Sequence, residues 1–221
     1  MVSAWASSSH LVLVQAKVEA KSNEITVVPA LLSLLDLNGC IVTADSMSCQ
    51  KAIAAQIVQL GGDYMLALKG NQENLHEDVR RFFEYAAARR FEAVAHQQHV
   101  CVDKDHGRIE TRRLVQVDLA HLEGRWADVQ QDWAGLSSLL MLQSERQVGS
   151  TTQETRYYLC SLSGDAKKVA HAIRQHWGIE NSVQALRTAS TGFSMRSLTK
   201  MPAAFAKIMC PRTSPSCVIL P

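Results

Sequence analysis

Two carboxylates, Asp45 and Glu180, stand where metal-assisted phosphodiester chemistry could use them. Asp45 closes CIVTAD, a short β-branched run that reads as a buried strand. Glu180 lies in RQHWGIEN, three residues past Trp177 on an amphipathic helix. Cutting or joining a phosphodiester asks for carboxylates that hold one or two Mg2+ ions, about 3.5–4 Å apart in two-metal sites. Mg2+ prefers oxygen ligands and keeps several waters, so a few acidic side chains suffice. Each residue also has a plainer reading. An Asp after a strand commonly caps a helix or closes a turn, and a Glu near a helix C-terminus is commonly solvated. His176, four residues before Glu180, reads as a surface contact or as a proton relay. KGNQ (69–72) reads as a turn and cap. HGRIETRR (106–113) reads as an exposed strand edge that could also lie on phosphates.

Elements must bring these residues together, since 45 and 180 are far apart in the chain. Val2–Ala6 and LVLVQAKV (11–18) alternate as strands. KSNEITVVPALLSLLDLNG (21–39) predicts a helix capped by Asn23 or Thr26, with Pro29 in its first turn and Gly39 at its end. CIVTAD is followed by an amphipathic helix over 49–60 that Gly61-Gly62 stops, then a buried strand over 64–68. Asn71 is placed to cap a helix running to about Ala88. This order predicts a mixed sheet with helices on its faces. Residues 94–102, 109–117, 138–148 and 153–162 read as strands, with Trp126 and Trp133 in a less regular link. From about Asp165 a helix carries Val169, Ile173 and Trp177 at four-residue spacing. Residues 184–221 are aperiodic and rich in Thr, Ser and Pro, which predicts a poorly structured tail.

Composition bounds the function classes. The 221 residues are 47% hydrophobic, enough for one well-filled domain with or without a tail. No apolar window of membrane-spanning length occurs, and the N-terminus does not read as a signal peptide. The six cysteines (40, 49, 101, 160, 210, 217) form no CxxC pair, so a reduced, cytoplasmic protein with packing cysteines is expected. Net charge is +2, but five basic and no acidic residues follow Glu180. Residues 1–180 therefore hold 18 basic against 21 acidic residues, and bulk charge does not announce a nucleic-acid binder.

The ordered runs are more specific than any one of them. KSNEITVVPALLSLLDLNGCIVTADSMSCQKAIAAQIVQLGGDYMLALKGNQENLHEDV, DKDHGRIETRR, ETRYYLCSL and HAIRQHWGIENSV resemble, in sequence order, the H-repeat-associated insertion-sequence transposases, over about residues 2–183. The resemblance implies a ribonuclease-H-like core with an Asp-Asp-Glu triad that cuts and joins the ends of its own DNA element. It implies Asp45 as the second acid and Glu180 as the third, both ligands of Mg2+ with Mn2+ as a substitute. Lys69, Asn71, Gln72, His106, Arg108, His176, Trp177 and Asn181 fall in the family's motifs, as DNA contacts or as support for the two acids. The expected organisation is an α/β, incomplete ribonuclease-H-like core. Its first part is 1–93, a β-rich insertion is 94–163, the helix carrying the third acid is 164–183, and 184–221 is a disordered tail.

The chain also departs from the family's pattern. The first Asp belongs to an IDGK-type strand ahead of VSAWAS, whereas this chain opens at Met1-Val2. An N-terminally truncated copy is the expectation, short of one ligand, inactive, and with an unpaired sheet edge where a central strand is missing. The tail lacks the family's HW…D…RIRK…NFA pattern, although a shifted reading frame of codons for MPAAFAKIMCPRTSPSCVILP can spell it. A frameshift between about Val183 and Ser190 is therefore expected. The expected partners are DNA at element ends, a second copy or an intact transposase, and no membrane. The rival expectations are a non-catalytic remnant that binds DNA or an intact transposase, and a product that folds badly.

Overall fold

The computed structural model describes residues 2–6, 11–16, 26–105, 108–176 and 206–209. The strands among them are β1 (Val2–Ala6), β2 (Leu11–Ala16), β3 (Ile41–Ala44), β4 (Asp63–Leu68), β5 (His96–Asp105), β6 (Arg108–Asp118), β7 (Ser138–Val148), β8 (Ser150–Cys160) and β9 (Ala206–Met209). The helices are α1 (Val28–Leu32), α2 (Lys51–Gln59), α3 (Glu73–Ala88), α4 (Arg125–Asp132) and α5 (166–176). The described strands form one sheet in the order β2-β1-β9-β3-β4-β8-β7-β6-β5. β3 and β4 are parallel, joined through α2, while β4 to β8 and the β5–β8 meander are antiparallel.

Strand alternation divides the core into two layers. On one face Val42, Ala44, Tyr64, Leu66 and Leu68 pack against α1, α2 and α3. Leu75, Val79, Phe83 and Ala86 supply the α3 stripe, at the three- and four-residue spacing of a helix face. On the other face Met65, Leu114, Leu140, Leu142 and Tyr158 meet Ala166, Val169, Ala172 and Ile173 of α5. Gly61 ends α2 at φ +76°, a conformation that disfavours any side chain.

Several expectations change. The helix predicted over 21–39 is only α1. Its N-cap is Val27 with no side-chain bond, so Thr26 does not cap it, and Asn23 lies outside the described residues. The chain turns away early because the Ser33 hydroxyl donates back to the Pro29 carbonyl, and Asp36 Oδ1 accepts from the Asn38 amide. The irregular link around the tryptophans contains α4, and Trp133 is buried. Cys49 and Cys160 are buried free thiols, as expected of packing cysteines, but Cys40 is disulfide-bonded. β9 runs through the segment expected to lack structure, and the rest of 184–221 lies outside the described residues. β9 pairs parallel with β1 and antiparallel with β3, so a strand fills the place where an open sheet edge was expected. No helix among the described residues is long and apolar enough to cross a membrane.

Candidate functional site

β3 and β4 run parallel and end side by side, the edge at which open α/β sheets usually offer a crevice. Asp45 follows β3 directly and is half-buried. Its Oδ1 accepts from the amides of Met47 (3.0 Å) and Ser48 (3.4 Å), capping the 3-10 turn Ser46–Ser48. The plain reading of Asp45 as a cap is therefore correct. Cys49 closes this loop. Burial, and after it the Asp45 charge, push the Cys49 thiol up to about 12.

Lys69 is exposed just past β4. Asn71 does not cap α3, whose N-cap is Gln72 with no side-chain cap bond. The Asn71 amide instead donates to the carbonyls of Ser46 and Cys49, and Gln72 Nε2 donates to the Cys49 carbonyl at 3.2 Å. Both side chains thus brace the loop that begins at Asp45. Such a brace leaves no trace in periodicity, because its partners lie 22 to 25 residues away.

His176 is not a surface residue. It is 7% exposed, and its Nδ1 lies 3.0 Å from Thr43 Oγ1 on β3, itself 2% exposed. The last described turn of α5 is thereby bonded to the strand that leads into Asp45. Thr43 was not singled out from sequence; the only available signal was a hydroxyl two residues before Asp45, on the same face of a strand. Glu180, Trp177, Asn181 and His106 lie outside the described residues.

Arg108 is not brought to Asp45. It opens β6, four strands from β3, about 19 Å across the sheet at ordinary strand spacing and further still because the register sets it out at the hairpin tip. It belongs instead to a pair of long hairpins. β4 ends at Leu68 opposite Tyr157, whereas β8 reaches back to Ser150, so the hairpin ends overhang the edge that carries Asp45. Within this overhang Glu110, its side chain 7% exposed, meets Arg112 at 2.8 Å and Arg108 and Arg146 at 3.7 Å. Asp103 binds Arg112 and Arg174, each at 2.7 Å. Sequence reading missed this network because Asp103, Glu110 and Arg146 share one row only once strand register is known. A cavity of about 390 Å3 lies beside it, between α5 and the hairpins, lined by His99, Cys101, Lys168 and His171 among others. Its lining strands, β5, β6 and β7, are remote from β3 and Asp45 in the sheet order.

Asp45 fits a hard divalent ion as one ligand, being a half-exposed carboxylate oriented by two amides at a strand end. It does not make a site alone, and among the described residues no three His, Cys, Asp or Glu side chains gather as a metal site.

Residues 1–210 match the family described as Transposase DDE domain. The chain is similar to an uncharacterized protein in the dhlA 3′ region of Xanthobacter autotrophicus, at 45% identity over 75% of this chain and 54% of that protein. It is also similar to the putative transposase YncI of Escherichia coli O157:H7, at 40% identity over 83% of this chain and 46% of that protein. The H repeat-associated putative transposase YhhI of Escherichia coli K12 is 36% identical over 83% of this chain and 48% of its own length. The chain spans about half the length of the curated relatives it matches. No solved structure matches it.

Proposed function

We propose, on the footing that the chain belongs to the transposase DDE domain family, that Asp45 and Glu180 are two acids of a DNA-cutting and strand-transfer site acting on the ends of an insertion element. DDE transposase domains generally use a divalent metal. Here Asp45 and Glu180 would hold Mg2+, or Mn2+ in its place, to activate the attacking oxygen and stabilise the leaving one. The observation that carries this reading is the Thr43–His176 contact. It holds α5 against β3 two residues before Asp45 and four before Glu180. Four residues of chain span at most about 14 Å, which supports assigning Glu180 and Asp45 to one site.

The core reads as ribonuclease-H-like, with β1, β2, β3 and β4 as its strands and the β5–β8 meander as the insertion before the glutamate helix. Support comes from the parallel β3–β4 pair, the antiparallel β1–β2 pair and the acid at the end of β3. Asn71 and Gln72 act by holding the Asp45 loop. Lys69 and Arg108 are exposed or half-exposed cations at the edge where DNA would lie.

Labelled element-end DNA incubated with the chain in Mg2+ or Mn2+ tests the reading, together with Mn2+ binding. We expect Mn2+ binding to be lowered at least tenfold by Asp45→Ala or Glu180→Ala. Metal-dependent cutting of the element ends that is lost on Glu180→Ala would support the reading. Mn2+ binding indifferent to both substitutions would overturn the site. Salt-dependent DNA binding that ignores Asp45→Ala would favour a non-catalytic partner of DNA.

A further inference from the structure

We infer that β5 is an interface: its outer edge pairs antiparallel with the β5 edge of a second copy of this chain, about a two-fold axis at Cys101. The inference does not depend on the metal proposed at Asp45. β5 ends the nine-stranded sheet, and among the described residues no strand pairs with its outer side. An edge strand presents a row of unpaired backbone N–H and C=O groups to any strand that lies beside it, and proteins ordinarily blunt such edges with short strands, prolines, bulges or charge. The opposite edge strand, β2, is six residues long, and its pairing with β1 shifts register once. β5 is ten residues long, contains neither Pro nor Gly, and keeps an unbroken register with β6. Its middle, Val100-Cys101-Val102, is uncharged. Val100 and Val102 share one face at 49% and 52% exposure, and exposed Ile109 of β6 lies on the same side.

The residues of β5 suit a copy of themselves. A two-fold pairing is isologous, so residue i meets j and j meets i. With Cys101 opposite its own counterpart, Val100 meets Val102 and Val102 meets Val100, which packs the exposed valines of both copies together. His99 then meets Asp103, and Gln98 meets Lys104, each twice. No like charges stand opposite each other within 98–104. Asp103 already binds Arg112 and Arg174, but a carboxylate has about four lone-pair directions and can also accept from His99. Sliding one strand by two residues destroys the match: it sets Val102 against Gln98, or Val100 against Lys104. The plainer alternative is an edge that Asp103 and Lys104 keep solvated.

Sedimentation velocity of the full chain up to about 100 μM reads the association, and a short bismaleimide reads the register. We expect a monomer–dimer equilibrium in the micromolar range, and a covalent dimer whose peptides join Cys101 to Cys101 in mass spectrometry. Cys49 and Cys160 are buried and should stay unlinked. Val102→Lys sets two ammonium groups into the valine patch and should weaken association at least tenfold. Its circular dichroism should match the parent's, because Val102 already faces water. Gln98→Glu puts an acid opposite Lys104 twice and should tighten association about threefold. Val148→Lys, an equally exposed site at the end of β7, is the control and should change nothing. A chain that stays monomeric throughout would overturn the inference, as would a dimer that ignores Val102→Lys and gives no Cys101–Cys101 link. Equal weakening by Val148→Lys and Val102→Lys would overturn it too, by showing association without a specific edge.

Discussion

Replacing Asn71 by Ala tests whether the Asp45 loop is held in the way the contacts imply. Asn71 donates to two carbonyls, those of Ser46 and Cys49, and the second bond is long at 3.4 Å. The Cys49 carbonyl keeps Gln72 as a second donor. Ser46 is half-buried, so its carbonyl recovers some water when Asn71 is lost. One good hydrogen bond with partial rehydration corresponds to about 1 kcal/mol. For a chain of this size that is a fall of roughly 2–4 °C in Tm. Locally it is about fivefold more frequent loop opening, at the usual 1.4 kcal/mol per decade. Amide hydrogen exchange reads this directly, because the Met47 and Ser48 amides are the ones bonded to Asp45. Their exchange should accelerate about fivefold while β4 and β8 amides hold their rates. Asn71→Asp should be worse than Ala, since it sets an acceptor-only group against two carbonyls. Unchanged exchange at Met47 and Ser48, or equal acceleration across the sheet, would refute the bracing role.

Other consequences follow from the hairpins and the buried thiols. Glu110→Ala should destabilise the chain by about 2 kcal/mol in urea unfolding, because it removes a buried acid from Arg112, which keeps Asp103 as its other partner. Glu110→Gln should cost less, and a loss under 1 kcal/mol for Glu110→Ala would show that the network is effectively solvated. Burial pushes Cys49 and Cys160 up to about 12, from an ordinary thiol value near 9. Their raised values leave stability whole below about pH 9. Above it the unfolded chain sheds protons that the folded chain keeps, and stability falls by about 1.4 kcal/mol per pH unit for each thiol until pH 12. Urea midpoints between pH 8 and 11 measure this, and a flat profile would contradict it. At pH 8, Cys49 and Cys160 should react with a thiol reagent no faster than the chain unfolds, whereas half-exposed Cys101 reacts in the native state.

Local pattern carried much of this fold. β3, α2, β4 and α3 each show as a short apolar or amphipathic run, and the four strands of the meander show as strand-like runs between polar turns. α1 misled because its apolar spacing continues through Leu34 and Leu35 while the backbone has already turned, guided by Ser33 and Asp36. Leu34 is in fact 70% exposed. The candidate site was legible only as single residues. Asp45 could be found from its place after a β-branched run, but its neighbours could not. The Thr43–His176 contact spans 133 residues, and neither partner departs from what a strand or a helix face would carry anyway. The salt-bridged row of Asp103, Glu110 and Arg146 depends on register across three strands, which no local window contains.

Asp45 joins two roles that compete in most readings of such a residue, and one substitution separates them. A carboxylate has about four lone-pair directions, so accepting two amides does not prevent it from ligating an ion. The cap requires only an acceptor oxygen, whereas the ion requires charge. Asp45→Asn keeps the acceptor and removes the charge; Asp45→Ala removes both. Loss of a cap of this kind costs about 1 kcal/mol. Asp45→Ala should therefore lose about that much stability in urea unfolding, and Asp45→Asn should stay within roughly 0.5 kcal/mol of the parent, since Asn caps about as well as Asp. Mn2+ binding should be lost in both. If Asp45→Asn destabilises as much as Asp45→Ala, charge holds the turn and the cap geometry is incidental. If Asp45→Asn retains Mn2+ binding, the carboxylate at the end of β3 is a structural cap and the metal reading of this edge fails.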